Sequence, residues 1–539
     1  MKNRESVTPA ILSPVRRSCR RTQPRPLFFD PVFSGAVNAL LFATLASAQV
    51  LTSQYNNART GATLTETRLT PANVNPQQFG KLFSFAVDGD VYAQPLFVPQ
   101  VPLPGKGTHD VIFIATEHNS VYAFDAAGQP MTPLWHVSFL NADKGVTTVP
   151  ATYQGCRFIA PEVGITPTPA IDLATGTIYV LARTRESQGL MASNRWVQKL
   201  HALAITTGAE KFGGPVEIKA PGFDGLRELP RAALLLVNGS VVMTWGSACD
   251  AGPYHGWVMS YDAQTLAQQA VLNTSPDAGE SGIWQSDMGP AADDEGNIYV
   301  ATGNGRFTAA KNGRDYGDSL LKLDAALHVR DYFTPFNEHE LNADDADLGS
   351  GGPLVLPKQP GAHPHLVLIA GKDGALYSID RDHMGKFQPQ DDSHAVQRIR
   401  FRGGAYSAPA FWNGHLFFLA TGDYLTDFAL QGGQLAKPAK LGARRFGNPG
   451  ATPAISSNGT RNGIVWLIET KTWNGADRPA VLHAYDAADV ARELYDSESN
   501  SARDRAGKTL RFTIPTVAAG RVYVDAKGEV CVYGLLPDR

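Results

Sequence analysis

Cysteine is scarce in this chain, with 4 in 539 residues. Cys19 precedes the first apolar stretch, which leaves Cys156, Cys249 and Cys531 and room for one disulfide. Charge of one sign is also missing. Lys and Arg number 48 against 51 Asp and Glu, a net charge of −3 with both signs interspersed. No basic stripe is left to attract nucleic acid, and no polybasic cluster to attract a membrane surface. After the first fifty positions no apolar run reaches the roughly 18 residues that a spanning helix needs, so no membrane span is expected in the mature chain. Cys-x-x-Cys-His is absent, so any electron acceptor has to be a separate protein. Gly-x-Ser-x-Gly, His-Glu-x-x-His and a phosphate-cradling Gly-Lys-Ser/Thr are absent as well, which removes the hydrolase and nucleotide readings.

What is present begins with Arg16, Arg17, Arg20 and Arg21, an apolar stretch from Val32 to Leu45, and then Ala46-Ser47-Ala48. Basic, apolar, small-x-small is the order of a secretory signal. Residues 1–48 are therefore read as a signal peptide and 49–80 as an N-terminal extension, with a disordered basic tail as the other reading. The expected location is periplasmic or secreted.

Glycine (52) and proline (36) are abundant while charged residues make up 18%, which suits turn-rich β structure. One unit recurs: a proline-containing strand start, a turn, an apolar strand, and a strand ending in aromatic-x-x-Asp. Tyr92-Ala-Gln-Pro95 leads to Val111-Ile-Phe-Ile-Ala115 and Val121-Tyr-Ala-Phe-Asp125. Thr166-Pro-Thr-Pro169, Asp287-Met-Gly-Pro290 and Ser350-Gly-Gly-Pro353 open similar units, and Ser407-Ala-Pro409, Ala451-Thr-Pro453 and Thr513-Ile-Pro515 open three more. An eighth unit has lost its proline and runs from Arg231 through Ser240-Val-Val-Met-Thr244 to Trp257-Val-Met-Ser-Tyr-Asp262. Asn238-Gly239, Asp373-Gly374 and Asn413-Gly414 are hairpin turns in which positive φ is expected.

The expected fold is all-β, an eight-bladed β-propeller of four-stranded antiparallel blades spanning 81–539, with a solenoid as the alternative. The last unit supplies three strands, and Lys81-Leu-Phe-Ser-Phe-Ala-Val87 is a strand without a blade. That N-terminal strand is expected to close the last blade, which removes the free edges of an open stack.

From about Val91 to Leu536 the repeat resembles the pyrroloquinoline quinone (PQQ) type, and its central third resembles the quinoprotein alcohol dehydrogenases. The segments that carry the likeness run from Trp284-Gln-Ser-Asp-Met-Gly-Pro290 through Ile298-Tyr-Val-Ala-Thr-Gly-Asn-Gly305 to Asp344-Asp-Ala-Asp-Leu-Gly349 and Ala370-Gly-Lys-Asp-Gly374. The resemblance implies PQQ and calcium as cofactors, Asn304 as a calcium ligand, Asp347 as the base toward an alcohol and a further ligand, and Lys372 on the quinone oxygens. Oxygen donors suit calcium, a Lewis acid activates the carbonyl under attack, and a carboxylate takes the proton that an alcohol sheds.

The chain also departs from the family pattern. The calcium glutamate has no counterpart, and Asp250 lies one residue away and one methylene shorter. The vicinal cysteine pair is missing, with Cys156 alone in the corresponding loop. By strict spacing the tryptophan that covers the quinone falls on Ser286, with Trp284 two positions away, while Tyr406 and Ser407 replace an Asn-Trp pair. Each candidate has a plainer reading: Asn304 and Lys372 as turn residues, Asp347 within a solvated acidic loop, and Trp284 as packing under a loop. Cys156 and Cys249 lie in loops of neighbouring units, either bonded or as two free thiols. Two functions follow. One is a PQQ- and calcium-dependent dehydrogenase with a small alcohol substrate and a separate electron acceptor; the other is a non-catalytic envelope propeller whose loops bind a protein or a glycan.

Overall fold

Each repeat folds as a meander of four antiparallel strands, and eight such blades form a propeller. The computed structural model describes residues 48–187, 193–437, 439–470 and 478–537. The expected signal peptide lies outside them except for Ala48. Blade 1 is built from Leu96–Leu103, Gly107–Ala115, Ser120–Asp125 and Trp135–Ser138. Blade 3, the unit without a proline, has the same plan: Leu235–Val237, Ser240–Trp245, Trp257–Asp262 and Gln268–Asn273. Asn238 and Gly239 (φ 52° and 72°) and Asn413 and Gly414 (φ 50° and 79°) take the left-handed pair a tight hairpin demands. At Asp373-Gly374 only the glycine does so (φ 76°).

Packing explains why the middle strands read as continuous apolar runs instead of alternating. A blade presses both faces against its neighbours, so every residue of Ser120–Asp125, Ser240–Trp245 and Ala375–Asp380 is buried. Outer strands meet water, and Gln268–Asn273 is mostly exposed or half-buried. The core is accordingly spread over the seams between blades. One apolar cluster joins Phe85 and Val530 of the last blade to Phe124 of the first and Ile178 of the second.

The expected clasp is present. Phe79–Ala86 lies antiparallel to Glu529–Leu535 as the fourth strand of blade 8, pairing Phe85 with Val530 and Phe79 with Leu535. Phe79 is fully buried and meets Tyr495 edge-on at 4.9 Å and Trp466 at 5.5 Å.

Residues 50–63 make a second closure that composition does not announce. This segment runs around one end of the channel and bonds the inner strand of every blade. Val50 bridges Phe97; the amide of Ile171 donates to Leu51 O, and those of Ala292, Val355, Phe411 and Ile455 to the carbonyls of Asn57, Ala58, Thr60 and Gly61, all at 2.7–2.9 Å. Asn57 Nδ2 donates to Leu236 O at 2.7 Å, and the Tyr55 hydroxyl donates to Pro515 O at 3.0 Å. Ala62–Thr63 then pairs in parallel with the inner strand of blade 7. At the centre Arg59 is fully buried and donates to Thr52 Oγ1, Ser53 O, Pro290 O and Leu234 O at 2.7–3.1 Å. These four partners are neutral oxygens, and burial lowers the guanidinium pKa.

Candidate functional site

Every inner strand is entered by a loop at the end of the ring opposite this strap, and there the loops of blades 2, 3, 4, 5, 6 and 8 enclose a pocket of about 190 Å³. Its walls include Asp250, Trp284, Asp347 and Lys372, four of the five expected site residues. Asn304 stands behind the wall. Its amide N–H donates to Asp347 Oδ1 at 2.7 Å and its side-chain Nδ2 to Asp345 Oδ1 at 2.8 Å. Lys372 Nζ lies 2.5 Å from Asp347 Oδ2 and 2.6 Å from Asp345 Oδ1.

Backbone geometry makes this convergence possible. Asn304 follows strand Ile298–Ala301, whereas Asp347 precedes the short turn Leu348–Ser350 within the entrance loop of blade 5 and Lys372 sits in that blade's central turn. Between them is Gly303, where a Cβ would collide with Asp347 Oδ1 and come within 2.9 Å of Trp284 Cδ1. Only glycine lets the carboxylate and the indole approach each other there. Trp284 meets Tyr254 edge-on at 6.1 Å, and the Tyr254 hydroxyl donates to Asp250 Oδ1 at 2.8 Å. Ser286, the position that strict family spacing gives to tryptophan, is buried and bonds Ser350 O at 2.6 Å.

Charge in the pocket is unevenly spread. Asp347 is 3% exposed, and burial pushes its carboxyl above the ordinary value against the pull of Lys372 and the Asn304 amide. Burial alone would lower Lys372; Asp347 and Asp345 overcome it and hold the ammonium charged beyond the usual lysine range. Beneath lies Asp318, which no motif marks. It is fully buried, accepts the Leu348 amide at 2.9 Å, and is raised well above the carboxylate range by burial and then by Asp347. Its position follows only from strand register: Ala301 pairs with Leu320, so Asp318 falls opposite Gly303. Across the pocket, Arg511 lies over Phe158 at 4.2 Å and Arg231 over Phe512 at 4.9 Å, a cationic and aromatic wall facing the carboxylates.

Cys156 and Cys249 are disulfide-bonded, with Cα atoms 5.7 Å apart, and the bridge lines the same pocket. Cys531 is free and buried in the closing strand. Trp284 Nε1 and Asn304 Oδ1 are buried and have no hydrogen-bond partner among the described residues. An unused donor and an unused acceptor beside a pocket fit a polar ligand, and Asn304, Asp347 and Asp250 each carry oxygen atoms of the hard kind that calcium takes. Among the described residues no helix is long and apolar enough to cross a membrane.

No family model and no curated protein matches this sequence. Its structure is similar to a quinohemoprotein alcohol dehydrogenase from Comamonas testosteroni, with TM-score 0.60 and 16% identity over 91% of this chain and 82% of that one. A europium-containing methanol dehydrogenase gives TM-score 0.57 and 14% identity over 90% and 98% of the two chains. For a quinohemoprotein alcohol dehydrogenase from Pseudomonas putida the TM-score is 0.58, with 15% identity over 90% and 80%. At such identities the likeness speaks to architecture, and what it shows is an eight-bladed propeller built like those of the quinohemoprotein alcohol dehydrogenases.

Proposed function

We propose that the axial pocket binds a quinone of the PQQ type and that the protein oxidises an alcohol there, with Asp347 as the base. The observation that carries this reading is convergence: Asp250, Trp284, Asp347 and Lys372, spread over three blades, line one pocket, with Asn304 bonded to Asp347 behind its wall and two unpartnered polar atoms beside it. Trp284, Lys372 and Asn304 would hold the quinone and Asn304, Asp250 and Asp347 a calcium ion; bound there, the quinone supplies a two-electron acceptor and the metal a Lewis acid. Asp347 takes the hydroxyl proton as the carbon gives up its hydride, leaving a carbonyl product. A buried carboxyl with a raised pKa is a better match to neutral operation than a solvated aspartate, and Lys372 at 2.5 Å pulls the other way, toward the charged form. Arg231 and Arg511 supply positive charge where the acidic groups of such a quinone would be received. Electrons then leave to a separate acceptor protein. The Cys156–Cys249 bond supports a periplasmic or secreted location, where disulfides persist.

Reconstitution of the purified protein with PQQ and Ca²⁺ tests this. Expected are bound-quinone absorbance and dye reduction with members of an alcohol panel. Asp347→Asn should retain the quinone and lose on the order of 10²–10⁴-fold in turnover. Protein that takes up no quinone ends the enzyme reading and leaves the loop face as a protein- or glycan-binding surface.

A further inference from the structure

Cys249 and Asp250 follow one another in the left-handed region, each with φ +52°. Residues with side chains stay there when their surroundings impose it. Two constraints act on this turn, which joins Ser240–Trp245 to Trp257–Asp262 of blade 3. One is the Tyr254 hydroxyl on Asp250 Oδ1. The other is the covalent bond from Cys249 to Cys156, 93 residues away in the entrance loop of blade 2. The blade 2 end is the firmer anchor. Cys156 leans on a buried apolar cluster that includes Tyr92, Val163 and Leu229, and the nearby Gln154 is held by the buried Arg183 at 3.0 Å. Cys249 is exposed and Cys156 half-buried, so a reductant has access to the bond.

We propose that the Cys156–Cys249 bridge is the positioning element of Asp250, so that the redox state of this bond sets how tightly the axial pocket holds its ligand. The choice of ligand rests on the quinone reading; the coupling between bridge and turn does not. Reduction by a dithiol breaks the Sγ–Sγ bond and delivers two electrons and two protons, leaving Cys156 and Cys249 as thiols and the reductant as its own disulfide. Released, Cys249 and Asp250 return to ordinary φ, and the Asp250 carboxylate leaves the pocket wall.

The test uses the full chain, oxidised and reduced. Hydrogen exchange read by mass spectrometry should rise on reduction within 246–256 and stay level in the blade strands. PQQ affinity in the presence of Ca²⁺ should fall at least about tenfold and return on reoxidation, with the Cys156→Ser, Cys249→Ser double variant matching the reduced protein. In Asp250→Ala the two redox states should bind alike, because the bridge acts through that residue. Unchanged exchange at 246–256, PQQ bound with equal affinity by both redox states, or full redox dependence retained by Asp250→Ala each overturns the proposal. If the oxidised protein binds no PQQ while exchange still rises at 246–256, the cofactor reading fails and the positioning role stands. Should the double variant not fold, reversible reduction of the native protein provides the same comparison.

Discussion

His483 is completely enclosed in blade 7, with Nδ1 2.7 Å from Glu493 and Nε2 3.3 Å from Glu469, while Phe446 meets it edge-on at 5.2 Å. Burial works to lower its pKa, but the two carboxylates outweigh burial and raise it above 6.5. A group whose folded pKa is raised stabilises fully below its unfolded value and loses that contribution as pH climbs through the folded value. His483→Gln should therefore cost about 2 kcal/mol near pH 6 and clearly less near pH 9, as read from urea midpoints across that range; a penalty that does not change with pH would contradict the charged imidazole. Gly303→Ala has a different signature. Its methyl would strike Asp347 and Trp284, so quinone affinity should drop by more than tenfold with little change in the far-ultraviolet circular dichroism of the blades. Asn304, Asp347 and Lys372 could be found in the sequence because each sits in a short motif next to a turn. Asp318, Arg231 and Phe512 could not, since what gives them a role is a neighbour on another strand or another blade.

Strands and turns followed from local pattern almost everywhere, including the blade without a proline, because an Asn-Gly hairpin between apolar runs leaves the chain few choices. The clasp was legible for a subtler reason. Phe79–Ala86 alternates like a strand, and the final blade lacked one. The strap at 50–63 was hidden. Val50-Leu-Thr-Ser-Gln-Tyr-Asn-Asn-Ala-Arg-Thr-Gly61 has no apolar period, and Gln54, Tyr55 and Arg59 take φ of 55°, 72° and 60°, values that side-chain-bearing residues adopt only under tertiary constraint. Its affinity for the ring is a matter of single hydrogen bonds to separate blades, which leaves no periodic trace. Arg59→Met should expose its importance: four buried acceptors lose their donor, and we expect a loss of about 3–5 kcal/mol in denaturant unfolding. A shift below about 1 kcal/mol would mean that solvent reaches those oxygens.

At the scale of the molecule, the strap closes one end of the channel and the pocket opens at the other, so whatever the pocket binds enters and leaves by one face of the propeller. Arrays of repeats that touch only their nearest neighbours melt piecemeal, since each seam can fail alone. Here one stretch of chain is tied to all eight inner strands, and no blade can leave without pulling on the others. Calorimetry of the intact protein should show a single transition, while removal of residues 50–61 should split it into several. That outcome would identify the strap as what makes eight small folding units into one cooperative unit.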